Sequence, residues 1–219
     1  MILLRADVRT KGLAWITGLL FMLNVYVFWQ EFRMNPPQLE HFVGHWGIIP
    51  HELFNSFGTH AYTLISAMFL HGGWLHLFSN MLFLYIFGTS VEDQFGHFKF
   101  LFFYFLVGVI ANGAQAYMVP QSHLPLIGAS GAIAGILGAY FFYFPHSRIM
   151  TLIPLGIFIT IREVPAFFFL GIWFLLQMLN GAFSNTLHIA GGIAWWAHAA
   201  GFMAGILMAP MFGRKIGKR

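Results

Sequence analysis

The chain has no cysteine. Disulfides, thiolate metal sites and a catalytic thiol are therefore excluded. Charge is scarce as well: 11 Lys+Arg and 7 Asp+Glu make up 8% of 219 residues, against roughly a quarter in a soluble domain. No charged residue falls between Phe100 and Ser147, a run of 48 residues, or between Val164 and Gly213, a run of 50. One membrane crossing needs about 20 apolar residues, so each run holds two crossings joined by a short turn. What is abundant is apolar, at 58% hydrophobic and 19% aromatic residues. A multi-pass helical membrane protein fits this composition and a soluble globule does not. The net charge of +4 is no argument for nucleic acid, because basic residues collect at the ends of membrane helices.

Six spans are predicted, at about 12–32, 74–91, 98–118, 127–144, 165–183 and 190–212. The first is too long for a signal peptide, and Trp29-Gln30-Glu31-Phe32 offers no small-residue cleavage site. The apolar stretch Ile149–Ile161, flanked by Arg148 and Arg162, is too short to cross; it reads as an interfacial hairpin around Pro154 and Gly156. With six spans both termini share a side. That side collects Arg5, Arg9, Lys11, Lys99, Arg148, Arg162, Arg214, Lys215, Lys218 and Arg219, while the other has Arg33 alone. Ten against one places both termini in the cytoplasm. The expected setting is the inner membrane of a prokaryotic cell, with residues 1–219 forming one integral domain. The first outer loop, roughly Arg33 to Gly73, carries Phe42, Trp46, Ile48, Ile49, Leu53 and Phe54. Its aromatic content reads as a segment lying partly in the membrane.

Polar side chains inside a bundle are costly and mark functional candidates. Spans two, four and six run from outside to inside, so heights count upward from their inner charges. Glu92 to His76 is 16 residues, Arg148 to Ser130 is 18 and Arg214 to His198 is 16. At 1.5 Å per helical residue these are about 24, 27 and 24 Å. A serine and two histidines thus fall in one layer near the outer face. Small residues bring two of the helices together: Gly128-Ala129-Ser130-Gly131 leads into Gly131-x-x-x-Gly135, and His198 precedes Gly201-x-x-x-Gly205. Such faces let backbones approach. The expected contact faces are 130, 134 and 138 on span four and 198, 201 and 205 on span six, with Ser130 Oγ within reach of the His198 ring. His76 and Asn80 project from one face of span two. Asn112, Gln115, Ser122, His123 and His71 are expected nearby, keeping a pocket wet.

This set suits acyl transfer. His198 takes the Ser130 proton, the alkoxide attacks a peptide carbonyl, and the Ser130 backbone N–H with His76 and Asn80 holds the oxyanion. No carboxylate stands at that depth: Asp7, Glu92, Asp93 and Glu163 belong to the cytoplasmic side, and Glu31, Glu40 and Glu52 lie in or near the first outer loop. The arrangement is a Ser–His dyad, which needs neither metal nor cofactor.

Taken in chain order, His71-Gly72-Gly73-Trp74-Leu75-His76 with Asn80, Gly128-Ala129-Ser130-Gly131, and His198-x-x-Gly201-x-x-x-Gly205 resemble the rhomboid intramembrane serine proteases. The resemblance runs from about Thr59 to Met208. It implies an all-α, six-transmembrane-helix rhomboid bundle, with Ser130 as nucleophile, His198 as general base and His76 with Asn80 as oxyanion donors. It also implies transmembrane protein substrates, cut near the outer face, and lateral entry beside span five with its Phe167, Phe168, Phe169, Trp173 and Phe174. One departure is Ala134, where many members have a ring that packs on the catalytic imidazole; Phe141 and Trp195 are candidates for that packing.

Singly, each motif has a plain structural reading. A membrane serine usually bonds backbone, Gly-x-x-x-Gly usually packs helices, and Asn80 alone reads as helix glue. Two rivals compete with the protease. His76 and His198 would serve as axial haem ligands, but that use leaves Ser130 without a role. A non-catalytic relative would bind transmembrane clients, but such proteins generally lack the serine or the histidine. A transporter has no mid-membrane charge to couple an ion.

Overall fold

The computed structural model describes residues 2–8, 10, 12–155, 158–186 and 194–214. In chain order the elements are β1 (Ile2–Ala6), α1 (Trp15–Arg33), α2 (Pro36–Trp46), α3 (Pro50–Asn55), α4 (Phe57–His60), α5 (Thr63–Ser66), α6 (Trp74–Phe83), α7 (Thr89–Phe95), α8 (His97–Met118), α9 (Ser130–Tyr143), β2 (Arg148–Leu155), β3 (Phe158–Pro165), α10 (Ala166–Thr186) and α11 (Trp195–Phe212). A π turn at Leu84–Gly88 joins α6 to α7, so that Trp74–Phe95 is one helix. Among the described residues three helices are long and apolar enough to cross a membrane: Trp74–Phe95, His97–Met118 and Ala166–Phe183. Large apolar side chains stay exposed around the outside, with Leu75 at 84% and Phe98 at 78%. A surface of that kind needs lipid rather than water beside it.

At the centre stands α9. Ten of its fourteen residues are buried, as expected of a helix that is apolar on every side. Its length is about 21 Å at 1.5 Å per residue, short of the roughly 30 Å hydrocarbon core. The predicted span of 127–144 is therefore trimmed at both ends. Ser130 is its first residue, and the chain leaves helical geometry after Tyr143, so the predicted height of about 27 Å counted helix where a turn runs.

The helix ends are held from a distance. Ala14, at the N-cap of α1, makes no capping bond of its own. Instead Glu92 of α7 accepts the Ile16 and Thr17 backbone N–H groups at 3.0 and 2.7 Å and the Thr17 hydroxyl at 2.6 Å. Those amides belong to the unpaired first turn, and the buried carboxylate pins α1 against α7. At the other end of α1, buried Glu31 accepts the His71 backbone N–H at 3.2 Å. Both acids are buried and bonded to backbone amides of another segment, a role their places in the sequence did not show.

The first outer loop is largely helical. Asn35 and Gln38 form a reciprocal capping box at the start of α2. The Tyr62 hydroxyl donates to His45 O and the Ser66 hydroxyl to Trp46 O, each at 2.7 Å. Ile48 and Leu126 exchange both backbone hydrogen bonds, and Gly128 N donates to Ala67 O. This loop thus sutures the segment that delivers Ser130.

The 149–161 stretch forms the expected hairpin, with β2 and β3 antiparallel from Arg148↔Pro165 to Leu155↔Phe158. Its content of β-branched residues, five isoleucines and two threonines, suits strands. Gly156 lies outside the described residues. One strand was unforeseen: β1 pairs antiparallel with β2, giving the order β1-β2-β3, and Asp7 Oδ1 accepts the Arg148 N–H at 2.9 Å. Arg9, Lys11, Lys215, Lys218, Arg219, His188 and the start of the sixth predicted span at 190–193 also lie outside the described residues.

Candidate active site

The small residues set how close α9 and α11 come. A Cβ on Gly201 would strike the Gly131 carbonyl, one on Gly205 the Gly135 carbonyl, and one on Gly138 the Phe202 carbonyl. The contact face of α9 is therefore 131, 135 and 138: Gly138 stands as expected, while 130 and 134 give way to 131 and 135. That change has a consequence. Ser130, Ala134 and Leu137 turn away from α11 and line a cavity of about 820 Å³ together with His76, Asn80, Trp173 and His198.

Each polar wall of that cavity is built locally. Gly128 adopts φ +125°, a conformation costly for any residue with a Cβ. A Cβ there would lie 2.7 Å from His76 Nε2, and the same point is 3.8 Å from Ser130 Oγ. The glycine at 128 is thus a cradle for the His76 ring rather than a helix-packing residue. Gly72 N donates to His76 Nδ1 at 3.3 Å. An accepting Nδ1 carries no proton, so Nε2–H is the donor that faces Gly128 and Ser130.

Asn80 is held by His71. Its Nδ2 donates to His71 Nε2 at 3.0 Å, and His71 Nδ1–H donates to the Phe69 carbonyl at 3.3 Å. The His71 and His76 rings meet edge-on, with centroids 4.9 Å apart. Burial, with the neighbouring His76 as a second cause, pushes the His71 imidazole down to about 4. It is a neutral structural group beside the cavity.

His198 is fixed from α10 and α11. Its Nδ1 lies 2.8 Å from Gln177 Oε1. The Trp173 ring lies over it at 5.9 Å and 34°, and Trp195 meets it edge-on at 6.4 Å and 88°. These two tryptophans supply the packing for which Ala134 has no ring, whereas Phe141 packs instead on Phe167 and Phe202. Among the described residues no hydrogen bond joins Ser130 Oγ to His198. Catalytic hydrogen bonds in unliganded sites are often long and tighten on substrate binding.

Several expected pocket residues are elsewhere. Gln115 Oε1 accepts the Trp196 and Ala197 backbone N–H groups, both at 3.1 Å, capping the helix that carries His198. Asn112 donates to Leu64 O at 2.9 Å. Ser122 accepts the Leu124 N–H at 3.2 Å, and the His123 ring meets the His51 ring at 4.3 Å, tilted by 36°. These amides and hydroxyls close helix ends and loops, which is why they do not wet the cavity.

Sequence reasoning missed Gln177. The same depth count would have found it: it stands 14 residues beyond Glu163, about 21 Å, in the layer of His198.

A rhomboid domain model matches residues 58–215, which covers every side chain just described around the cavity. The chain belongs to the rhomboid family. Among its relatives, "Rhomboid protease GluP" of Bacillus subtilis is 33% identical over 70% of this chain and 28% of its own length. "Rhomboid-like protein 11, chloroplastic" of Arabidopsis thaliana is 34% identical over 58% of this chain and 40% of its own. "Rhomboid protein 1, mitochondrial" of Saccharomyces cerevisiae is 28% identical over 72% and 43% respectively. The chain thus spans less than half the length of these rhomboid relatives. Membership makes this a membrane protein. It does not single out a prokaryotic inner membrane, since chloroplast and mitochondrial relatives match as well.

Proposed function

We propose that this rhomboid is an intramembrane serine endopeptidase working through a Ser130–His198 dyad. The observation that carries the reading is the convergence of Ser130, His198 and His76 on one cavity. They come from three helices and stand 54 and 68 residues apart in sequence. Ser130 heads α9, where unpaired backbone N–H groups face outward. Its Oγ attacks the scissile carbonyl carbon as His198 Nε2 takes the proton. The oxyanion is met by the Ser130 backbone N–H, His76 Nε2–H and the second Nδ2 hydrogen of Asn80. The tetrahedral intermediate collapses with cleavage of the C–N bond, and His198 returns the proton to the leaving amine. Water then attacks the acyl-serine, with His198 again as base.

The substrates are transmembrane proteins reaching the cavity sideways from the lipid, cut near the outer face. Trp173 of α10 and Leu75 of α6 both line the cavity, which supports entry between those helices. The bundle crosses six times, with α1, α9 and α11 as the remaining crossings and both termini in the cytoplasm. Residues 1–219 act as one integral domain, and the reaction uses no cofactor.

The test is cleavage of a transmembrane reporter in detergent or liposomes. Wild type cuts, while Ser130→Ala and His198→Ala each lose activity by about 10⁴-fold or more, with the double variant no worse than either single one. If Ser130→Ala still cuts, or wild type cuts none of several reporters, the dyad falls and a client-binding rhomboid takes its place.

A further inference from the structure

Gln177 is a primary amide in the middle of α10, inside the apolar stretch Ala166–Phe183. An amide there costs several kcal/mol unless its groups are paired. It is 6% exposed, and both ends of its amide are used. Nε2 donates to the Trp173 carbonyl, one turn earlier, at 3.2 Å, and Oε1 lies 2.8 Å from His198 Nδ1. The two contacts settle each other. A backbone carbonyl only accepts, so the amide nitrogen faces Trp173 and the oxygen faces the imidazole. An amide oxygen also only accepts, so Nδ1 of His198 carries the proton and Nε2 keeps its lone pair. That is the tautomer a general base toward Ser130 requires. The Trp173 ring, from the same turn of α10, lies over the imidazole and limits its rotation.

We propose that Gln177 is a positioning residue for the reaction, a neutral third member beside Ser130 and His198; this rests on the dyad reading above. When the Ser130 proton moves to Nε2, the Nδ1 proton stays on His198, and its hydrogen bond to Gln177 strengthens as the ring becomes cationic. Gln177 itself gains and loses no proton. A carboxylate in this place would need its own partner inside the bilayer, whereas an amide accepts the same hydrogen bond without charge.

The experiment uses the full chain in detergent micelles, with two variants. Gln177→Met keeps the length and removes both polar ends; Gln177→Glu keeps an acceptor for Nδ1–H and loses the donor to Trp173. Expected for Gln177→Met is a kcat on a transmembrane reporter lower by about 10–100-fold with KM within about twofold, the usual scale for an outer partner that orients a histidine. Gln177→Glu recovers at least part of that loss. Independently of cleavage, ¹⁵N spectra of the histidine rings, assigned with His198→Gln, show the Nδ1–H tautomer for His198 in wild type and a shift toward Nε2–H in Gln177→Met. Wild-type kcat in Gln177→Met, an unchanged tautomer, or a Gln177→Glu no better than Gln177→Met overturns the proposal. Should Gln177→Met not fold, Gln177→Glu decides: cleavage within about tenfold of wild type with the tautomer kept supports the role, and loss of either overturns it. Ser130→Ala in parallel separates the two readings. If it cuts, the dyad and the role of Gln177 fall together; if it is dead while Gln177→Met is unimpaired, only the Gln177 proposal falls.

Discussion

His71 shows how a single side chain supports the cavity without entering it. Its ring accepts from Asn80 and donates to Phe69 O while its backbone N–H binds Glu31, so one residue ties α1 and α6 together and its neutral ring makes two of the three bonds. Burial first, and the adjacent His76 second, lowers its pKa from 6.5 to about 4. Between those values the unfolded chain binds a proton that the folded chain refuses. The stability His71 contributes is therefore complete above the unfolded value and is lost as pH falls toward the folded one. Thermal unfolding in detergent is expected to show Tm dropping from pH 7 to pH 5, and dropping less in His71→Gln. Equal slopes in the two proteins would show that His71 does not carry the effect. The sequence set His71 beside the site and His76, five residues on, within it, and the structure keeps them apart in that way. Their fates diverge because one turn of α6 points His76 at Gly128 and leaves His71 under the end of α1.

Among the helices, the pair α9 and α11 sets the geometry between Ser130 and His198. Gly131, Gly135 and Gly138 of one helix meet Gly201, Gly205 and the Phe202 backbone of the other, at a separation no side chain larger than glycine allows. In Gly205→Leu the new side chain meets the Gly135 backbone, which cannot yield as a flexible side chain would. Overpacking of this kind costs about 1–3 kcal/mol. A lower Tm and a loss of reporter cleavage are expected together. A Cβ on Gly171 of α10 would have nothing within 4 Å, so Gly171→Leu, as control, is expected to leave both near wild type. Should Gly205→Leu unfold and cut like that control, the close crossing is not what aligns the site. The small-residue motifs were legible in the sequence, and the face they use was not. Helical spacing fixes which residues share a face, while the turn that brings 131 and 135 rather than 130 and 134 to the contact depends on packing with other helices, such as Val107 and Ala111 of α8 against Gly135 and Gly131.

For the molecule as a whole, the proposed orientation rests on the basic residues at its ends and in the loops assigned to the same side. Phosphatase and fluorescent-protein fusions at either terminus are expected to report the cytoplasm, and a phosphatase inserted near residue 60 the opposite side. Opposite sides for the two termini would rule out an even number of crossings. The β1-β2-β3 sheet adds a constraint on the same scale, because β1 ties the start of the chain to the hairpin that leads into α10. That pairing joins segments about 145 residues apart. Local patterning, which revealed the hairpin, has no access to such a partner.

Composition and spacing by themselves determined that the chain belongs in a bilayer and where its apolar runs lie, and they led to Ser130, His76 and His198 as residues of one site. Those properties follow from counting, because helical rise and bilayer thickness are fixed lengths. Only the tertiary structure decided which buried polar groups serve the cavity and which close a helix end. Glu92, Glu31, Gln115 and Gln177 are each satisfied by an element far away in sequence. A buried polar group must find a partner wherever packing brings one, and the choice of partner is made in three dimensions.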